Sequence, residues 1–296
     1  MGNPSGSKQK TSPIPCSSPL ASRSEVEPEL FAQDSEDDLK LAVDFGATFT
    51  IVAFCKPKEA EFRGRPQFHV LRNYAFDPMP IPGDSEKGVP SESYYPPNSI
   101  APDRQTQANG SIEIVSDDST DLPTLISQTV RPGYLWGNEI DEELRAAGTA
   151  RYEQMSKHRI QGMKLMLDKR RVTKRWKHKT RKVIGTLQTQ NDKIFKKELD
   201  VICDFLTAVL IHARLELEAD YSLHANSQVE YIFTIPPSFE GRSMETAFME
   251  ALKRSGLPVA PVTRRHKIFV VDEAEASASY VIHDQQVQVC SSYWIN

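Results

Sequence analysis

Asp44, Gly46 and Thr48 stand together in a short polar break between two apolar runs, the stretch from Leu41 to Cys55 reading Leu-Ala-Val-Asp-Phe-Gly-Ala-Thr-Phe-Thr-Ile-Val-Ala-Phe-Cys. A carboxylate at a strand end, followed by a glycine and hydroxyl-bearing residues, sets backbone N–H donors around a small concavity beside a group that can hold a hydrated cation. Such a turn suits the phosphates of a Mg-nucleotide. The same residues also make a plain edge hairpin whose Asp44 caps the turn, and because short motifs recur by chance the choice rests on other stretches. A second chemical candidate is basic: residues 169–182 hold nine Lys/Arg around Trp176, a composition that can neutralise nucleic-acid phosphates or serve as a nuclear-import signal. With one aromatic among the charges and no nucleic-acid fold signature around them, the expected role is a solvated basic helix or loop.

The elements that must position these residues follow from periodicity. Val43, Phe45, Ile51, Val52 and Phe54 supply the β-branched and aromatic residues of a hairpin over 41–55, and Gly46 is expected to take the positive φ of a tight turn. Residues 66–74 read as a third strand through Phe68, Val70, Leu71 and Tyr74. A proline-rich connection through Pro78, Pro80, Pro82 and Pro90 follows, and Val89 to Tyr95 reads as a short strand. Residues 96–130 read as an insertion or long loop, with a strand only at Ile112 to Val115. Trp136-Gly137 marks a turn, and Asp141 to about Leu167 has the propensity of a helix.

The clearest helix runs from Phe195 to Tyr221, with an apolar stripe of Leu199, Ile202, Leu206, Val209, Ala213 and Leu217. Val229 to Pro236 follows as a strand, and Ser243 to Ser255 as a second amphipathic helix that Gly256 stops, with Pro258 beyond. Lys267 to Asp272 is another strand, and Glu273 to about Ile282 an alanine-rich helix. The order helix, strand, helix, strand, helix implies a mostly parallel, helix-covered sheet with the opening hairpin added antiparallel.

A chain of 296 residues, 39% hydrophobic and 26% charged, can bury a substantial core. No apolar run approaches the roughly 20 residues a membrane span requires. The N-terminus has no charged segment leading into an apolar one, so no secretory signal is expected, the sequon at Asn109 is unused, and the expected location is the cytoplasm, or the nucleus through residues 169–182. Gly6 stands where a myristoylation signal has Ser or Thr, so no lipid anchor is expected. Cys16, Cys55, Cys203 and Cys290 lie far apart and read as reduced thiols rather than a zinc site or disulfide framework. The net charge of −4 conceals +11 over residues 151–182 against −15 elsewhere. Residues 1–38, rich in Ser and Pro and then acidic, read as a disordered tail.

Five segments together resemble the DnaK-type heat-shock protein 70 chaperones, within the actin and sugar-kinase ATPase superfamily. Val43-Asp-Phe-Gly-Ala-Thr-Phe resembles the first phosphate loop, written Asp-x-Gly-Thr-Thr in the chaperones. Val89-Pro-Ser is similar to their Thr-Pro-Ser strand and Trp136-Gly to a later Val-Gly turn. Phe233-Thr-Ile-Pro-Pro with Phe239, the following helix and Gly256-Leu257 is similar to Thr-Val-Pro-Ala-x-Phe and the helix after it. Val271-Asp-Glu-Ala-Glu-Ala-Ser-Ala278 resembles the Asn-Glu-Pro-x-Ala-Ala-Ala corner called the first connecting segment. Order and spacing agree over residues 40–284 apart from an enlarged middle, in the proportions of divergent, fungal-type members.

The resemblance implies an α/β actin-like ATPase (ribonuclease H-like) lobe over 39–284, a mixed sheet with helices packed on it and an incomplete second lobe. It implies ATP and Mg as ligands, phosphoryl transfer to water as the chemistry, and protein clients or co-chaperones as partners. Asp44 would hold Mg through its water shell. Backbone donors at Gly46, Ala47 and Thr48, with Phe49 closing the turn, would cradle the phosphates, and Glu273 would orient the water or the Mg shell. Glu273 is also placed as a first-turn acid favoured by the helix dipole, a role Glu275 can share. Lys164 falls near the family's catalytic lysine, but Gln-Gly-Met-Lys-Leu matches that context poorly and its role stays open. Ala47 replaces a threonine, Ala274 replaces a proline, and no glycine follows Gly256 to build a second phosphate loop; residues 285–296 resemble no family motif. The expectation is an ATP-binding lobe, truncated and weakly active or inactive, with a nucleic-acid-binding or nuclear-imported protein as the alternative.

Overall fold

Alternation decides the first strand: Leu39, Leu41, Val43 and Phe45 are buried, while Lys40 and Ala42 are half-buried and Asp44 is exposed. The structure is a computed structural model that describes residues 39–56, 67–74, 76, 88–96, 122–168, 170, 174–190, 198–224, 227–236, 241–258 and 267–279. The first half holds β1 (Leu39–Phe45), β2 (Phe49–Cys55), β3 (His69–Val70), β4 (Val89–Pro90), β5 (Glu92–Tyr94), α1 (Leu122–Thr129), β6 (Leu135–Trp136), α2 (Asn138–Ala146), α3 (Thr149–His158) and β7 (Arg159–Gln161). After a 3₁₀ turn at Met163–Leu167 come α4 (Lys174–Gln190), α5 (Glu198–Tyr221), β8 (Val229–Ile235), α6 (Gly241–Ser255) and β9 (Lys267–Asp272), with residues 273–279 helical beyond it. The expected tail over 1–38, the strand at 112–115 and the end over 285–296 lie outside the described residues.

The central sheet runs β3-β2-β1-β8-β9, with β4 also on β2. The pairings of β2 with β1, β3 and β4 are antiparallel, whereas β1 with β8 and β8 with β9 are parallel. The sheet is therefore mixed rather than mostly parallel. A turn of a few residues can only return the chain antiparallel, and parallel pairing appears where α6 carries the crossover from β8 to β9. Phe45 meets Phe205 of α5 at 5.8 Å and Phe233 meets Phe248 of α6 at 4.4 Å, so both helices cover the face that carries Leu41 and Val43. These contacts fix the strand ends.

The stripe read on α5 understates its burial, because every residue from Val201 to Arg214 is buried. The helix lies among the sheet, α6, α1 and the second sheet, and polar residues off the stripe, among them Asp204 and His212, are inside as well. Polar groups bonded within a core imitate amphipathicity in sequence.

The second sheet, β6-β5-β7, is antiparallel, and Tyr94, Ile140, Leu144 and Met155 make a small core beside it. The expected helix over 141–167 is instead α2, α3, β7 and the 3₁₀ turn. Ala147 is extended, as is Arg159 after α3, and Gly162 takes φ 64°, so the chain leaves the helical region three times. Helix α1 lies in what reads as a loop, although Pro123 in its first turn is a helix-start signal. The third strand is shorter than expected. Val89 to Tyr95 divides into β4 and β5 at Ser91, whose N–H donates to the Thr48 carbonyl at 2.8 Å. β8, α6 and β9 stand where the sequence put them, within two residues.

Apart from Arg170, the described part of the basic segment lies in α4, which buries Thr180, Ile184 and Leu187 and exposes Lys174, Arg175 and Lys182. Replacing those three cations with Gln, which keeps helix propensity, is expected to move the melting temperature by no more than about 3 °C. A larger loss in a thermal melt would show the charges to be structural partners of the acidic body. Among the described residues no helix is long and apolar enough to cross a membrane.

Candidate functional site

The end of β1 presents Asp44 outward because Val43 and Phe45 on either side are committed to the core. Its Oδ1 accepts a hydrogen bond from the Thr234 hydroxyl of β8 at 2.9 Å, which fixes the carboxylate against the neighbouring parallel strand. In register, Val43 lies opposite Phe233, Thr234 opposite Val271, and Ile235 opposite Asp272. Asp44 and Glu273 therefore emerge at the same end of the sheet, two strands apart, a lateral separation of about 10 Å between backbones.

The turn between β1 and β2 needs Gly46 for a reason other than the one expected. Gly46 is not among the residues with positive φ. A Cβ built on it would instead collide with the Phe49 carbonyl oxygen, so the glycine serves close approach of the backbone to itself. Ala47 and Thr48 follow at the tip, half-buried and exposed, with Phe49 also exposed. Among the described residues nothing accepts a hydrogen bond from the Ala47 or Thr48 amide. Behind the turn the Thr50 and Ser91 hydroxyls bond at 2.9 Å, and Ser91 holds the Thr48 carbonyl, so the turn is braced from its buried side.

At the other strand end the cap belongs to Asp272. Its Oδ1 accepts from the Ala274 amide at 2.8 Å and the Glu275 amide at 3.3 Å, the pattern of a helix N-cap. Glu273 is thereby left for another contact: its Oε1 accepts from the Nζ of Lys164, a buried residue of the 3₁₀ turn. The lysine whose role the sequence leaves open is thus brought to the candidate carboxylate. Gly162, in the left-handed region just before the turn, reverses the chain after β7 and makes this placement possible. Recognising Arg-Ile-Gln-Gly as a strand and stop would have located it.

Ala47 and Thr48 open onto a cleft of about 530 Å³ whose other walls come from the second sheet, Leu165 and α4. On one wall Glu92 accepts from Arg159 and, at 2.9 Å, from Gln161, while Arg159 also reaches Asp141 at 2.8 Å. Thr180 donates to the Gln161 carbonyl at 3.0 Å and ties α4 to this wall. Among the described residues no three of His, Cys, Asp or Glu converge as a metal-ligand set. A nucleotide's Mg does not need one, since it takes one or two carboxylates and completes its shell with water and phosphate oxygens. A single outward carboxylate with one oxygen held by Thr234, beside uncommitted amides, fits that role. Comparison of the chain with protein-family models and with the curated proteins finds no match in either.

Proposed function

We propose that the turn after β1, Asp44 and the Lys164–Glu273 pair form the phosphate end of a Mg-ATP site of the actin-like ATPase kind, in a chain related to the DnaK-type heat-shock protein 70 chaperones. The observation that carries this reading is the meeting of Lys164 with Glu273 at the sheet end where Asp44 and the open amides of the turn also lie. Two further features support it. The strand order β3-β2-β1-β8-β9, antiparallel and then parallel, is compatible with a ribonuclease H-like lobe and so supports the reading, and ligands of open α/β sheets bind beyond the carboxyl ends of the parallel strands. A Cβ on Gly137 would collide with Val89, so two of the family-like segments, distant in sequence, pack on each other.

The Ala47 and Thr48 amides would donate to phosphate oxygens, and the Gly46 approach keeps the turn tight enough to present both. Asp44 would hold the metal's water shell; the metal supplies charge neutralisation between the phosphates. Glu273, held by Lys164, would orient a water. Residues 1–296 contain one such phosphate turn, whereas in-line attack calls for the phosphates to be gripped from two sides with bulk water excluded. Binding by these residues alone is therefore expected to be weak, and turnover slow or absent. Protein clients or co-chaperones as partners rest on the resemblance alone.

Equilibrium binding of Mg-ATP and phosphate release decide the matter. Asp44→Asn keeps an acceptor for Thr234 and is expected to leave the melting temperature unchanged while lowering Mg-dependent ATP affinity at least tenfold, the order of one lost charge-assisted contact. Unchanged affinity in that variant would sink the reading.

A further inference from the structure

We propose that β9 is a docking edge for a second copy of this chain, the two β9 strands pairing antiparallel about a two-fold axis to make one continuous sheet. The inference stands apart from the phosphate site. It starts from the two ends of the central sheet, which are unlike. At one end β3 has two residues, too few to receive another strand, whereas at the other β9 has six, Lys-Ile-Phe-Val-Val-Asp. A strand turns N–H and C=O groups to both sides, and among the described residues only β8 pairs with β9. Its outer row of donors and acceptors is a template for another strand, and no proline, glycine or mid-strand charge blunts it.

Apolar side chains are exposed on both faces of this strand. Phe269 lies in register with Ile232 and Ala42, on the face away from α5, and is 43% exposed. Val270 lies in register with Phe233 and Val43, which are fully buried on the covered face, yet it is 41% exposed. Cover of the sheet thus ends at β8, one strand short of its edge. Charge selects the occupant. The sequence enters β9 through Arg264-Arg265-His266-Lys267 and leaves it through Asp272-Glu273-Ala274-Glu275, so the strand is basic at its start and acidic at its end. A parallel copy would set like charges side by side at both ends, whereas an antiparallel copy sets each basic end beside an acidic one. Two registers keep side chains on their own faces, one centred on Phe269 and one on Val270, and both lay apolar residues beside apolar ones through the middle. The pairing occupies the long edge of both copies, so assembly closes at two. Six residues a side make a small interface, and the dissociation constant is expected at about 10–100 µM.

Sedimentation equilibrium of the full chain over about 1–300 µM tests this. The average mass is expected to rise from that of one chain toward that of two and no further. Phe269→Lys, at an exposed position off the covered face, is expected to fold, which thermal melts check, and to stay monomeric. Lys267→Glu and Glu275→Lys each bring like charges together at the strand ends and are expected to weaken the dimer several-fold at low salt. The two changes in one chain restore opposite charges and are expected to recover most of the lost affinity, whereas damage to the fold would add rather than cancel. A chain monomeric throughout the range, growth beyond a dimer, a dimer that Phe269→Lys leaves intact, or a double variant that carries both losses would each overturn the proposal. Each of those results leaves the phosphate site standing.

Discussion

Asp204→Ala is expected to lower the melting temperature by on the order of 10 °C, corresponding to about 3–5 kcal/mol for one partner removed from a buried ion pair. Asp204 sits at 0% exposure in the middle of α5. Its Oδ2 accepts from Arg131 at 3.3 Å and from the Tyr95 hydroxyl at 3.1 Å, and its Oδ1 accepts from Arg254 at 2.8 Å. Arg131 is fully buried and Arg254 nearly so, so the alanine leaves two guanidinium groups in the interior without their carboxylate. Burial alone would lower the pKa of Arg254, yet Asp204 and the adjoining Cys203 outweigh it and hold the guanidinium above the ordinary arginine range. It cannot escape its cost by losing a proton.

A second variant separates the charge from the packing. Changing Arg131 to Met, Asp204 to Leu and Arg254 to Met together removes all the charges at similar volume and is expected to recover most of the lost stability. Denaturant unfolding of both proteins checks the pair of expectations, and an Asp204→Ala protein that melts within about 2 °C of the parent would refute them. The cluster also has a positional meaning. It joins α5, α6, the chain after α1 and the residue after β5, so it sets where the second sheet stands against α5. The 3₁₀ turn that carries Lys164 follows that sheet.

The central strands were legible because one covered face forces alternation, as in Leu39 to Phe45, and because β8 and β9 are short apolar runs bounded by breakers. Helices α5 and α6 were legible by length and by Gly256, which takes φ 73° as a C-terminal stop should. The second sheet was not. Its strands have two or three residues, too few to show a period, and it is held by pairings such as Ser93 with the Tyr134 hydroxyl at 2.7 Å that no local pattern announces.

For the site, Asp44 and the turn were legible as chemistry, since a lone carboxylate beside Gly46 breaks an apolar alternation. The function of Gly46 was misjudged because a glycine required for positive φ and one required for close approach look alike in sequence. Glu273 was legible only together with Asp272, and which of the two capped the helix depended on side-chain direction. Lys164 was noticed but its role stayed open, because its partner is 109 residues away and its own neighbours suggest a helix; the only local signal was the strand and stop ending at Gly162. Asp204, Arg131 and Arg254 were hidden for the same reason: each looks like a solvated charge until the fold brings them together.

The expected response to pH turns on Glu139, a buried carboxyl in the first turn of α2. Burial pushes its pKa up from 4.5 to about 7, and the hydrogen bond its Oε2 accepts from the Trp136 amide, at 3.4 Å, offsets this only in part. The helix dipole also favours a first-turn anion, but by less than burial costs here. Between the unfolded value near 4.5 and the folded value near 7 the native state binds the extra proton, so its stability falls as pH rises through that window and levels off above it. The full difference is about 3 kcal/mol, from roughly 1.4 kcal/mol for each tenfold change in proton affinity. Glu139→Gln keeps the acceptor for the Trp136 amide and cannot ionise, so it is expected to be more stable than the parent by about that amount at pH 8 and nearly equal to it at pH 4.5. His158, whose pKa burial lowers, contributes with the opposite sign in both proteins and cancels in the comparison. Unfolding free energies of the two proteins across pH 4.5–8 test this: the gap between them should open with rising pH, and parallel profiles would show that Glu139 is already ionised in the fold.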